Sequence, residues 1–287
     1  MPAEVGIYAI LARSAPRAVV FRRGPSKRVL LLSWNTDTDQ FVEGQWLKGR
    51  IYERRCDLSP DGELLLYFAA TYREPYYSWS ALSKPPHLTA LALWPKGDSW
   101  GGGGHFESKS RIALNHRQSE MTLADGFRLP KRLTIVPFGA HSGWGEDHPV
   151  WTKRLERDGW TLLHPGTPGE KSFDPPITWA KPHPISPERY TLQMTIHNIH
   201  VPNGPWYLTR HAVVSAEGES HRIGRSSWAD WAPSGDLLFA KRSCLYRLEY
   251  ARGELASLER AREIVNLSGQ SFVAREPTAE AGQWPRR

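Results

Sequence analysis

Cysteine is scarce in this sequence, with two residues among 287. Cys56 and Cys244 lie far apart and in no spacing typical of a metal site. A small disulfide-stabilised scaffold is therefore excluded, because such scaffolds carry several closely spaced cysteine pairs. We expect both thiols to be reduced, which indicates a reducing compartment.

Long apolar runs are also missing. No segment approaches the ~18 apolar residues that a membrane-spanning helix needs. The N-terminal stretch MPAEVGIYAILARSAPR has a short apolar part with no basic residues before it, so it differs from a signal peptide and predicts a first strand near residues 5–12. These absences predict a soluble, cytoplasmic protein.

Segments with helical periodicity are few, and 254–265 (ELASLERAREIV) is the one clear candidate. Elsewhere short apolar runs alternate with Gly, Pro, Asn or Asp, which is typical of an all-β chain. Residues 190–197 (YTLQMTIH) alternate apolar and polar side chains and predict a half-buried strand. Continuous apolar runs predict strands buried on both faces at 28–34, 63–70, 88–94, 132–138 and 236–240.

Two turn-plus-strand elements share one pattern. SPDGELLLYFAA (59–70) and APSGDLLFA (232–240) each carry a proline, then a glycine two residues later, then an apolar strand. Pro60 and Pro233 fix φ, and Gly62 and Gly235 supply a positive φ, so each predicts a tight hairpin turn. Weaker copies occur at 156–164, with Gly159, and at 201–211, with Gly204.

These elements resemble the repeat of TolB-like and other WD40-like β-propellers, whose blades carry a W-S-P-D-G turn before an inner strand. The stretch from RRGPSKR to WGGGGHF also resembles a group of bacterial propeller proteins to which no activity is attached. The resemblance implies a single β-propeller over residues 1–274. Blades of ~40–50 residues predict five blades, with six as the alternative. The first strand could complete the last blade, and we expect 275–287 to form a poorly ordered tail.

The run Gly101–Gly104 is not a phosphate-binding motif. It lacks the lysine and the helix of a Walker loop and the strand–turn–helix context of a dinucleotide fingerprint. We expect it to permit close approach of two backbones. The alternative is the mouth of a ligand-binding loop with Trp100 and His105 at its edge.

Catalytic and metal-binding patterns are weak. His141, Glu146, Asp147 and His148 are suitable ligand types in no recognised spacing, and a strand would place His197 and His200 on opposite faces. No nucleophile motif occurs, so we expect no cofactor, no metal and no catalytic residue. The alternative is a hydrolase resembling glycoside hydrolases, with carboxylates around a propeller channel. Candidates for that alternative are Asp37, Asp39, Asp147 and Asp230.

Positive charge is concentrated in the first half of the chain. The net charge is +7, and residues 1–143 hold 19 basic and 13 acidic side chains, which is six of the seven excess charges. A basic cluster interleaved with aromatic residues occupies 22–28 and 48–55, and suits anionic groups. Its members are Arg22, Arg23, Lys27, Arg28, Lys48, Arg50, Arg54 and Arg55.

The basic cluster predicts the binding site of a non-enzymatic scaffold, one subunit of a bacterial multi-protein assembly. Arg22, Arg23, Lys48 and Arg50 are the expected contacts, whereas Arg54 and Arg55 should point to opposite faces of a strand. A protein partner is favoured over a small anionic ligand. Nucleic acid ranks last, because +7 over this length falls short of a strongly basic stripe.

Overall fold

The computed structural model describes residues 5–24, 27–201 and 205–285. Internal contacts divide the chain into two compact units. The larger unit is Ala9–Arg154 with Gln270–Arg287, and the smaller unit is Met1–Tyr8 with Leu155–Gly269. Strands account for 44% and helices for 7%, so the predicted all-β class is confirmed. Within these ranges no helix is both long and apolar enough to span a membrane.

The larger unit contains the first twelve strands, although the first residues of β1 are grouped with the smaller unit. Their bounds are β1 (Gly6–Leu11), β2 (Arg17–Arg23), β3 (Arg28–Asn35), β4 (Gln40–Lys48), β5 (Arg50–Ile51), β6 (Asp57–Leu58), β7 (Leu65–Ala70), β8 (Ser78–Ser83), β9 (Ala92–Pro95), β10 (Gly104–Phe106), β11 (Arg111–Leu114) and β12 (Thr134–Pro137). They form three sheets, in the orders β1-β2-β3-β4, β5-β7-β8-β9 with β6 beside β7, and β10-β11-β12. The β11–β12 pair is parallel. Short 3-10 helices occupy Glu53–Arg55 and Gln118–Glu120.

The smaller unit contains the other eleven strands. Their bounds are β13 (Thr161–Pro165), β14 (Ile177–Pro182), β15 (Tyr190–Ile199), β16 (Tyr207–Ser215), β17 (Ser220–Arg225), β18 (Trp228–Trp231), β19 (Leu237–Lys241), β20 (Cys244–Leu248), β21 (Tyr250–Ala251), β22 (Glu254–Leu255) and β23 (Arg262–Asn266). Their sheets have the orders β13-β14-β15-β16-β17, β18-β19-β20-β23 and β21-β22. A third 3-10 helix spans Leu258–Arg260.

The two predicted hairpin turns are confirmed. Gly62 (φ +73°) lies between β6 and β7, and Gly235 (φ +90°) lies between β18 and β19. Each glycine N–H donates to the carbonyl three residues earlier, which belongs to Ser59 at 2.8 Å and to Ala232 at 2.9 Å. The sequence pattern therefore encodes the same backbone turn twice.

The weaker copies of the pattern differ. Gly159 (φ +88°) follows an α-helix, α1 (His148–Arg157), rather than joining two strands. Its N–H donates to the carbonyl of Glu156 at 3.1 Å, so it ends the helix. Gly204 lies outside the described residues.

The helix predicted over 254–265 is wrong. Arg252 and Gly253 both have positive φ and join β21 to β22 in a two-residue hairpin, the conformation that a type I′ turn requires. The chain then forms β23, in which Val265 pairs with Leu245 of β20. Tertiary pairing of β-branched Ile264 and Val265 overrides the helical periodicity.

The helix that does form, α1, was not predicted. Pro149 lies in its first turn, where the missing N–H costs nothing. Val150, Trp151, Arg154 and Leu155 are buried and lie on one face. The pattern was obscured because a charged residue, Arg154, occupies a position on the buried face.

Individual strands also refine the predictions. Leu192, Met194 and Ile196 of β15 are buried between partly exposed neighbours, as the alternation predicts. The run at 132–138 is not buried on both faces, because β12 is an edge strand with partly or fully exposed residues. In the run at 88–94 the strand begins only at Ala92. β1 is hydrogen-bonded to β2 in the first sheet, so the described pairing does not place it in the last one.

The C-terminal segment (270–285) runs across the larger unit without joining a strand. Carbonyl groups of Gln270 and Pro285 accept hydrogen bonds from Arg22 at 2.9 Å and Arg132 at 2.6 Å. Trp284 packs on an apolar cluster of the larger unit. The mobility of this segment, which the sequence predicts to be high, stays a prediction.

Candidate functional site

The predicted basic cluster lies where strands of the first sheet end. Arg23 ends β2, Arg28 begins β3 and Lys48 ends β4. Because these strands are adjacent and antiparallel, their ends meet at one end of the sheet, and Arg28 pairs directly with Lys48. Two segments twenty residues apart are thus brought together as the sequence predicts.

Gly49 brings two further cations to the same place. Its N–H donates to the carbonyl of Lys27 at 2.7 Å, which holds the link between Lys48 and Arg50 against the residue that precedes β3. A Cβ on Gly49 would lie 2.7 Å from the carbonyl oxygen of Ala70, so only glycine permits this approach. The chain therefore clusters four cations around one glycine.

We call these four residues the cationic surface: Lys27, Arg28, Lys48 and Arg50. All four are exposed. Among the residues that the structure describes, none of the four has a carboxylate within 4 Å. Unpaired, converging cations are available to an external anion, which separates this surface from the ion-paired charges elsewhere in the cluster.

Aromatic rings support the cationic surface from below. The ring centroid of Phe272 lies 5.4 Å from the guanidinium carbon of Arg28 and 4.5 Å from the ammonium nitrogen of Lys48. The ring of Tyr72 lies 5.9 Å from the ammonium nitrogen of Lys27. These separations are in the range of cation–π attraction, which restrains long side chains without neutralising their charge.

The other arginines of the cluster have structural partners. Arg22 is 1% exposed, donates to the carbonyls of Gly24 and Gln270, and lies over the Trp46 ring. Burial lowers the pKa of Arg22. Arg23 is ion-paired with Glu53, whose charge raises the pKa of Arg23.

Arg54 and Arg55 do not point to opposite faces of a strand, as the sequence predicts, because they belong to the 3-10 helix Glu53–Arg55 and both are buried. Arg54 donates to Glu53 at 3.0 Å and lies over the Trp151 ring. Arg55 donates to the Asp147 carboxylate and to the carbonyls of Ser99 and Gly101, at 2.7 Å each. Both guanidinium groups therefore connect segments of the larger unit.

The glycine run has the structural role that the sequence favours. A Cβ on Gly103 would overlap the carbonyl oxygen of Arg55, and a Cβ on Gly104 would overlap that of Ala113. The N–H groups of Gly101, Gly102 and Gly103 donate to Gly145, Asn115 and Ser80 at 2.6, 2.7 and 2.8 Å. Because these donors are already used inside the protein, they are not free to bind a phosphate.

Trp100 and His105 flank this run on different terms. Trp100 is 45% exposed, and its N–H donates to the Asp98 carboxylate at 2.9 Å. His105 is partly buried, and its ring meets the Phe138 ring edge-on at 5.1 Å. The structure does not bring either residue into the cationic surface as defined by its contacts.

The carboxylates considered for a hydrolase have separate local roles. Asp39 accepts from the Trp34 indole at 3.2 Å, and Asp147 from Arg55. Asp230, in the smaller unit, pairs with Lys181 at 2.6 Å, and burial raises its pKa. Asp37 is exposed.

Histidine and cysteine complete the survey of reactive side chains. His148 contacts Thr152 at 3.0 Å and His197 contacts Thr195 at 3.2 Å. In the described part of the chain no three His, Cys, Asp or Glu residues are grouped as a metal site requires. Cys56 and Cys244 are both free and buried.

Sequence reasoning missed one polar pair. The hydroxyl of Ser80 lies 2.8 Å from Nε2 of His116, whose Nδ1 lies 3.0 Å from the carbonyl oxygen of Glu120. Burial lowers the pKa of His116 to about 4. Neither side chain is exposed, and the Ser80 hydroxyl also accepts from Gly103, so the pair fixes the glycine run. No spacing could have revealed it, because 36 residues separate the two.

Comparison with known proteins adds no family. No protein-family model matches the chain, and no curated protein matches it. The contacts and charges of the described residues therefore carry the functional argument.

Proposed function

We propose that this chain is a binding scaffold that recognises an acidic protein partner through the cationic surface. One observation carries the proposal: four exposed cations converge around Gly49 with no carboxylate partner in the described residues. Such convergence raises both the encounter rate and the affinity for an anionic surface, whereas single surface charges contribute little.

We further propose that the scaffold is a five-bladed β-propeller. Five sheets of three or more strands occur, which equals the proposed number of blades. Two of the proposed blades carry the same proline–glycine turn before an apolar strand. A propeller joins its blades through side-chain packing and presents loops from several blades at one rim, which suits a subunit of a bacterial cytoplasmic assembly.

The test measures binding to a defined acidic probe. A fluorescein-labelled decaglutamate peptide is titrated with the protein, and fluorescence anisotropy is recorded at low and high salt. We expect binding at low salt that weakens with ionic strength, because the contacts are exposed charges.

Two double variants separate the cationic surface from net charge. Arg28→Glu/Lys48→Glu should weaken binding at least about tenfold, since it replaces attraction by repulsion at the centre of the surface. Arg128→Glu/Lys131→Glu makes the same change at exposed positions of the same unit and should cost about twofold or less. Equal losses in the two variants would refute the proposed surface.

A further inference from the structure

The Arg28–Lys48 pair carries an electrostatic cost that the fold does not relieve with an ion pair. The two residues are directly opposed in the β3–β4 ladder, which brings their Cβ atoms to about 5 Å. Like charges in this arrangement repel and destabilise a sheet. No carboxylate of the described residues lies within 4 Å of either cation.

Phe272 holds the two like charges at one place. Its ring attracts both cations, at 5.4 Å from Arg28 and 4.5 Å from Lys48. The ring itself packs edge-on against Trp46 at 5.9 Å. Two residues earlier, the carbonyl of Gln270 is held by buried Arg22. The cations are therefore positioned on a fixed ring instead of being free to separate into solvent.

We propose that Arg28 and Lys48, supported by Phe272, bind a doubly charged phosphoryl group on the partner. This inference rests on the proposed function and names the chemistry that the surface recognises. A bound dianion neutralises both members of the like-charged pair, whereas one carboxylate neutralises only one of them.

The two side chains differ in a way that suits a phosphoryl group. The guanidinium of Arg28 is a planar fork that donates two parallel hydrogen bonds, and the ammonium of Lys48 is a compact point charge. A phosphorylated side chain offers three acceptor oxygens and a charge of about −1.5 to −2, enough to engage both. Lys27 and Arg50 lie on either side through the Lys27–Gly49 hydrogen bond and are available to acidic residues that flank the phosphoryl group.

The experiment compares three peptides that differ at one position. Each has the sequence Gly-Glu-Gly-X-Gly-Glu-Gly, where X is serine, glutamate or phosphoserine, and binding to the full chain is measured by calorimetry. We expect the phosphoserine peptide to bind about tenfold more tightly than the glutamate peptide, because of its extra charge and acceptors. That preference should shrink as pH falls below about 6, where the phosphate becomes monoanionic.

Single variants assign the preference to the two cations. Arg28→Gln and Lys48→Gln should each reduce the preference for phosphoserine over glutamate to about twofold or less, because the site then holds one cation. Arg128→Gln should leave it unchanged. Phe272→Leu keeps an apolar side chain but removes the ring, and should reduce the preference partially.

The outcomes separate this inference from the proposed function. Equal affinity for the glutamate and phosphoserine peptides, with both lost in Arg28→Glu/Lys48→Glu, overturns the phosphoryl inference and leaves the acidic-partner function in place. Absence of binding by any peptide, including decaglutamate, overturns both. Tighter binding of a ten-residue thymidine single strand than of the phosphoserine peptide also overturns the inference, in favour of nucleic acid. Displacement of the phosphopeptide by an equal concentration of inorganic phosphate overturns a side-chain source.

Discussion

Two regions of one basic cluster have opposite environments although five residues separate them. At Arg55 the guanidinium is buried, with hydrogen bonds of 2.7 Å to the Asp147 carboxylate and to two backbone carbonyls. At Lys48 the ammonium is exposed, contacts an aromatic face and has no carboxylate within 4 Å in the described chain. The 3-10 helix Glu53–Arg55 causes the difference, because it turns three charged side chains into the protein.

The difference shows that a count of positive charges does not measure a binding surface. A guanidinium has five donors in a fixed fork, and the protein uses them at Arg55 to connect the glycine run with the segment before α1. A cation can bind a partner only when the fold leaves its donors accessible. The comparison therefore predicts that buried members of the cluster control stability and outward members control binding.

The largest expected effect is that of Arg55→Met. The variant leaves the buried Asp147 carboxylate without its cation and two backbone carbonyls without a donor. Breaking a buried pair in this way costs about 3–5 kcal/mol, measured as the free energy of unfolding in urea. Lys48→Met is the matched control and should change it by about 0.5 kcal/mol or less. Similar values for the two variants would contradict the division of the cluster.

A smaller loss is expected where the backbone contacts Arg55. Gly103→Ala places a methyl group against the Arg55 carbonyl at a positive φ of +73°, and should cost about 2–4 kcal/mol through overpacking and backbone strain. Gly126→Ala tests the strain alone, because its φ is +85° and no atom lies within 4 Å of the added Cβ. We expect that control to lose about 1 kcal/mol. Equal losses in urea unfolding would show that close approach contributes nothing.

Local features of the fold could be predicted from the sequence. Pro60 and Gly62 determine their turn through the conformations available to these two residue types. The alternation at 190–197 determines which side of β15 is buried. The role of the glycine run followed from a missing lysine and helix, and the structure gives its cause in the contacts of Gly103.

Features that depend on distant partners could not be predicted. Glu254–Asn266 has helical periodicity, yet β23 forms because β20 offers an unpaired edge. Arg22 and Arg55 have the same composition signal as Arg28, and only the positions of Gln270 and Asp147 make them structural. The cationic surface was predicted as a cluster, but its outward members depend on Gly49 and Phe272, which no charge pattern identifies.

A pH-dependent effect of intermediate size is expected in the buried part of the larger unit. Because burial lowers the pKa of His116 to about 4, the unfolded chain takes up this proton first as pH falls below about 6.5. Stability from neutral His116 is therefore complete above pH 6.5 and is lost as pH falls towards 4. The loss should reach about 2 kcal/mol at pH 5, from 1.4 kcal/mol per unit of pKa difference.

Urea unfolding at pH 7 and pH 5 measures this loss, with His116→Gln as the variant that removes the titrating group. The difference between the two pH values should shrink by most of that amount in His116→Gln and stay unchanged in His148→Gln, whose side chain is exposed. An unchanged difference in His116→Gln would mean that other groups carry the acid sensitivity.

The smallest expected effect has the opposite sign. Arg28→Glu converts the opposed like charges of β3 and β4 into an Arg-free ion pair with Lys48, and should raise the free energy of unfolding by about 0.5 kcal/mol while it weakens binding of the acidic probe. Lys48→Glu should do the same by pairing with Arg28. The double variant restores two like charges, so its stability should return to that of the parent chain, and the double-mutant cycle should give a coupling of about 1 kcal/mol that decreases at high salt. A cycle without coupling would mean that the Phe272 ring already removes the repulsion.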